Sequence, residues 1–132
     1  MKDDKDRLKS IQLLSNEGKE KSCESELLLY LSEFSESITA HLMLGGLYFS
    51  QNKHGSAKPY LEYVLEHVPF EAQASVGLFH ILWGEGQKNK AKNIMESFLE
   101  NNQSQNPSSL ATRADFKAIK TELIDKGMWE NA

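Results

Sequence analysis

Cysteine is almost missing from this chain. Cys23 is the only one, so no intrachain disulfide is possible and the fold does not depend on an oxidising compartment. Three prolines and eight glycines among 132 residues are too few for a collagen-like or proline-rich chain. No apolar run approaches the roughly 18–20 residues that span a bilayer. The longest, over residues 40–49, is broken by His41 and the pair Gly45 and Gly46. The opening MKDDKDRLKS has no apolar stretch of the kind that marks a secretory signal. Neither sign of charge dominates: 15 basic and 19 acidic residues are interspersed, for a net charge of -4, which leaves no electrostatic footprint for nucleic acid or an anionic membrane. Period-two alternation is missing too, and with it any strand signal. The expectation is a cytoplasmic, all-α single domain over 1–132, with no nucleic-acid partner and no membrane insertion.

What the chain does have is resemblance to itself at a fixed step. Gly18, Asn52 and Gly86 are evenly spaced, and Cys23, Ala57 and Ala91 follow at the same interval. Leu13, Leu47 and Ile81 align in the same way, with Leu14, Tyr48 and Leu82 beside them. So do Leu27, Leu61 and Met95, then Tyr30, Val64 and Phe98, then Leu31, Leu65 and Leu99. A period of this length, about 34 residues, marks stacked supersecondary units, none of which can bury its apolar face alone.

Helical periodicity fills the units. Apolar stripes place helices near 4–15, 19–34, 38–50, 56–67, 71–83, 89–100 and 110–126. Breaks fall at Gly18, at residues 35–37 with Ser37 as an N-cap, at 51–55, at Val68 and Pro69, at 84–86 and over the polar stretch 101–109. Pro59 belongs in a first helical turn, where its missing N–H costs little. In the last helix Phe116, Ile119 and Leu123 are expected inside with Ala111 or Ala114, and Gly127 closes it.

This pattern resembles the tetratricopeptide repeat, a helix–turn–helix unit of about 34 residues. The copy at 38–71 carries the likeness best, with Leu44 and Gly45 at the family's Leu-Gly pair, Tyr48 at its aromatic, Ala57 at its small residue and Pro69 at its closing proline; His41 replaces the usual Trp. The copy at 72–105 keeps Leu78, Leu82, Gly86 and Ala91 but has Phe79 for the glycine and Gln103 for the proline. The copy at 4–37 keeps Leu14, Gly18 and Cys23. The resemblance implies a right-handed α-solenoid of three hairpins, closed by a C-terminal capping helix over about 109–126. Gly45, Ala57 and Ala91 then let paired helices approach closely.

The resemblance also implies a concave groove lined by the first helix of each hairpin. Its residues here are Leu8, Gln12, Leu42, Met43, Gly46, Phe49, Gln73, Val76, His80 and Trp83, flanked by Lys5, Lys9, Thr39 and Gly77. Co-chaperone members grip a C-terminal carboxylate with Lys, Asn and Arg on this face. The matching positions here are Leu8, Gln12, Met43, Gln73 and Gly77, so no cationic fork remains. The remaining apolar and aromatic side chains suit an apolar peptide or helix of a client protein. The expected function is that of an adaptor or chaperone, in one version a secretion-system chaperone. The alternatives are a self-associating subunit using the same face, or a groove filled by the chain's own Met128 and Trp129.

Little in the sequence suggests chemistry. His41, His54, His67 and His80 recur at equal spacing, but that spacing does not return to one helical face. They read as a packing residue, a turn residue, a helix C-terminal residue and a groove residue. Cys23 reads as a buried, inert thiol, and Glu20, Glu24 and Glu26 as a solvated helix face. No phosphate-binding glycine loop occurs. The expectation is a chain without catalytic residues, metal or cofactor.

Overall fold

The computed structural model describes residues 2–130. Within them lie seven α-helices and no strand: α1 Lys5–Asn16, α2 Glu20–Glu33, α3 Ile38–Ser50, α4 His54–His67, α5 Ala72–Gly84, α6 Lys88–Asn101 and α7 Pro107–Asp125. The repeat is written into the helix ends. Helices α2, α4 and α6 each start and stop one repeat length after the one before, and α1, α3 and α5 finish at Asn16, Ser50 and Gly84 with the same interval.

The turns explain why. Gly18, Asn52 and Gly86 all take the left-handed conformation, with φ of 75°, 59° and 81°. Each ends its helix with the same backbone bond: Lys19, Lys53 and Gln87 donate to the carbonyls of Leu14, Tyr48 and Leu82 at 2.9 Å. This closure uses carbonyls that the helix leaves unpaired and requires a residue tolerant of positive φ. Gly127 closes α7 in the same way. Helix starts are fixed by side chains that accept an orphan N–H. Asp4 takes that of Arg7, Ser37 that of Ala40, Glu71 that of Ala74 and Asn106 that of Ser109.

Two helix starts and one buried face differ from the sequence reading. Helix α4 begins at His54, so Pro59 lies inside it, one turn in. The proline ring presses on the residue four positions back. That residue is the exposed Gly55, which has open space around it. Helix α7 begins at Pro107, pre-set for a first helical position, and the polar loop shrinks to 102–106. On α7 Phe116 is buried, but Ser109 and Thr112 turn inward in place of Ala111 and Ala114, which are exposed.

The chain divides into two compact units, Met1–His67 and Val68–Ala132. In the first, α1 packs on α2, α2 on α3 and α3 on α4. Its buried residues include Ile11, Cys23, Leu27, Tyr30, Leu44, Ala57, Leu61 and Val64. Gly45 sets the α3–α4 approach: a Cβ there would stand 2.7 Å from Leu61 Cδ2 and 3.0 Å from its Cγ. The N-terminal segment is pinned by Tyr30, whose hydroxyl donates to Asp3 (2.9 Å) and accepts the Asp4 N–H (2.7 Å). The first repeat departs from the others along one stripe. Ala40, Leu44 and Leu47 are buried, as are Ala74, Leu78 and Ile81, yet their counterparts in α1 are the exposed Asp6, Ser10 and Leu13, the last 57% exposed.

In the second unit α5 packs on α6, and α7 packs on both. The core is Ala72, Phe79, Leu82, Ala91, Met95, Phe98 and Phe116. Phe116 meets Phe79 and Phe98 edge-on, each with ring centroids 5.5 Å apart, the favoured geometry for aromatic pairs. Phe79, which stands where Gly45 stands in the previous copy, thus supplies the side chain that α7 packs against.

Candidate protein-binding face

A helix aligns residues three, four and seven apart, so Leu42, Gly46 and Phe49 share a stripe of α3 with Met43 at its edge. In the structure Leu42, Met43 and Phe49 are half-buried and Gly46 is exposed, with open space where its Cβ would be. The Phe49 ring stacks on His54, the first residue of α4, at 5.1 Å and 11°. His54 is therefore a helical stacking residue, not a turn residue, because α4 starts earlier than its apolar stripe. On α1, Gln12 is exposed and its amide donates to Asn16 Oδ1 at 3.1 Å. Leu8 is buried and offers little surface. Lys5, Lys9 and Thr39 are exposed.

The second unit repeats the arrangement on α5. Gln73 and His80 are exposed, while Val76 and Trp83 are half-buried against the core. Gly77 points inward and is buried. The Trp83 indole packs against Phe79, with centroids 5.8 Å apart, and Lys88 Nζ sits 5.1 Å from its ring centre. Lys88 opens α6 as His54 opens α4. Phe49 with His54, and Trp83 with Lys88, are therefore the same device one repeat apart: a half-exposed ring on the first helix, braced by the first residue of the second. The aromatic members were legible from the sequence. The bracing residues were not, since they belong to the next helix and their contact depends on the turn.

Elsewhere the histidines serve packing. His41 stacks on Tyr63 (3.8 Å, 18°) and its Nδ1 lies 2.6 Å from the Ser37 carbonyl, which assigns it as the donor. His67 covers the same tyrosine, at 4.2 Å. Cys23 is buried, its Sγ 3.8 Å from the Ile11 carbonyl, and burial raises its pKa, which disfavours the reactive thiolate. Among the described residues, no group of three or more His, Cys, Asp or Glu side chains could hold a metal ion, and no helix is long and apolar enough to cross a membrane. Glu24 is not merely solvated: it accepts from the Tyr48 hydroxyl at 2.6 Å. Trp129 rests on the second core between Lys92 and Lys120, each 5.2 Å from its ring centre, and Lys92 Nζ donates to its carbonyl at 2.6 Å. These clasping residues belong to α6 and α7, not to the α5 stripe.

Burial, then the Glu24 bond and the nearby Tyr60, push Tyr48 up to about 12. An unfolded tyrosine ionises near pH 10, so the contribution is intact below about pH 10 and is lost as pH climbs through about 12. Urea titrations from pH 8 to 12 are expected to show stability falling across that window, by on the order of 2 kcal/mol, and falling less in Tyr48→Phe. An equal loss in both proteins would exclude Tyr48 as its source. Tyr30, also raised by burial, contributes in the same direction in both.

A scan against protein-family models gives no match to this chain, and a search of curated proteins finds no matching relative.

Proposed function

We propose that this protein is a protein-binding module of tetratricopeptide type, an adaptor or chaperone that holds an apolar peptide or helix of a client against the first helices of its hairpins. In this reading the hairpins stack as a right-handed solenoid and α7 is the cap. The carrying observation is the repeated platform, Phe49 on His54 and Trp83 on Lys88, flanked by half-exposed Leu42, Met43 and Val76. Aromatic rings and methionine supply adaptable contact area and dominate binding energies when a partner covers them. A braced ring has little side-chain freedom left to lose on binding. Gly46 leaves room for a partner backbone. A secretion-system chaperone is the narrower version of this reading; a cytoplasmic location and a non-enzymatic role belong to it.

The test compares client recovery by the wild type with recovery by Phe49→Glu and Trp83→Ala, each first shown to unfold cooperatively. We expect at least a tenfold loss of recovery, since burying a charge or removing an aromatic anchor costs about 2 kcal/mol or more at such positions. Unchanged recovery in both variants would mean that this face does not bind the client. The alternative is self-association through the same apolar stripes. Light scattering separates the two: a stable dimer that Phe49→Glu dissociates would favour the alternative.

A further inference from the structure

Phe70 holds an unusual backbone position. Its φ is 64°, and the other described residues with positive φ are Asn52 and three glycines, which tolerate that region. Phenylalanine has no short polar group with which to stabilise it locally. The counterparts one repeat to either side, Glu36 and Ser104, do not share the conformation. The turn closes locally, the Glu71 N–H donating to the Val68 carbonyl at 3.2 Å across Pro69 and Phe70, but its third position favours glycine or asparagine, so phenylalanine there calls for further contacts. The Phe70 carbonyl accepts from Asn102 Nδ2 at 2.9 Å. Asn102 is fixed in turn by Arg113 of α7, one of whose terminal nitrogens (Nη2) lies 2.8 Å from the Asn102 carbonyl, 3.3 Å from its Oδ1 and 3.1 Å from the Ser104 carbonyl. The Phe70 ring packs against the second core, and the next residue, Glu71, caps α5 through the Ala74 N–H.

We propose that Arg113 and Asn102 form a lock on the turn that starts α5, holding Phe70 left-handed, and that opening the lock frees the first turn of α5. That helix carries Gln73, Val76, His80 and Trp83, so the lock would decide whether the α5 stripe is rigid or adjusts to a bound segment. The lock stands without the binding reading; only the use made of it rests on that reading. Strain of this kind persists only where surrounding contacts over-determine it.

The experiment is native-state hydrogen exchange read residue by residue. Asn102→Asp keeps both the shape and the oxygens that Arg113 grips, but removes the N–H given to Phe70. The amides of Glu71, Ala74 and Ser75 are expected to exchange about tenfold faster, while those of Met95 and Phe98 in the core change by less than about threefold, the signature of local opening. Repeating Asn102→Asp in a Phe70→Asn background should shrink the acceleration to less than about threefold, because asparagine accepts positive φ without a lock. Three results would overturn the proposal: no acceleration at the turn, equal acceleration at Met95 and Phe98, or the same acceleration in both backgrounds. None of the arms involves a client, so a failure here is distinct from a failure of the binding face.

Discussion

Gly45→Val is expected to destabilise the first unit by about 3 kcal/mol, while Gly46→Ala, at the next position, stabilises it by about 0.5–1 kcal/mol. The two glycines share a helix and differ only in what surrounds them. A Cβ at Gly45 would meet Leu61 Cδ2 at 2.7 Å, Leu61 Cγ at 3.0 Å and Tyr60 Cβ at 3.3 Å. Leu61 is only 2% exposed, so it has nowhere to retreat, and a branched side chain forces α3 and α4 apart. At Gly46 a Cβ meets nothing within 4 Å, so alanine gains helix propensity without a clash. Urea unfolding of the two variants checks the signs. Destabilisation of similar size at both would mean that the α3–α4 approach is not what Gly45 serves.

Phe116→Ala is expected to cost the second unit about 3–5 kcal/mol, a large part of the total stability of an ordinary domain. Phe116 is fully buried and makes edge-on contacts with both Phe79 and Phe98. Removing it leaves a cavity among residues from three helices and detaches α7 from the core. Leu110, equally apolar but 44% exposed on the same helix, is the control: Leu110→Ala should change stability by less than about 0.5 kcal/mol. Thermal or urea unfolding of both variants reads the difference. Comparable losses would contradict the placement of α7.

Much of this fold was legible because the repeat carries its own punctuation. Gly18, Asn52 and Gly86 announce three identical turns by their spacing alone, and Cys23, Ala57 and Ala91 mark buried close-approach slots. Alignment misleads at Leu13, which matches the buried Leu47 and Ile81 yet is exposed, because Asp6 and Ser10 make the rest of its stripe polar. On the candidate face, Phe49, Trp83 and their apolar neighbours were expected only through the resemblance to the tetratricopeptide repeat; the structure shows them half-buried on α3 and α5. What joins different helices did not follow. The His41–Tyr63–His67 stack, the Tyr30 clasp on Asp3 and Asp4, and the Arg113–Asn102–Phe70 chain each link residues far apart in sequence through side-chain geometry. The polar stretch around Asn102 reads as an ordinary loop until Phe70 is seen to need it.

In the proposed function the α3 and α5 stripes bind another protein. The most direct measurement places a photoreactive side chain at Gly46 and, separately, at His80, both exposed on those stripes, with Glu62 on α4 as the reference. Irradiation in the native host followed by mass spectrometry should give adducts with a common partner protein from Gly46 and His80 and not from Glu62. Its cross-linked segment should be apolar. Adducts only with a second copy of this chain, or equal yields from all three positions, would mean that these stripes do not hold a client.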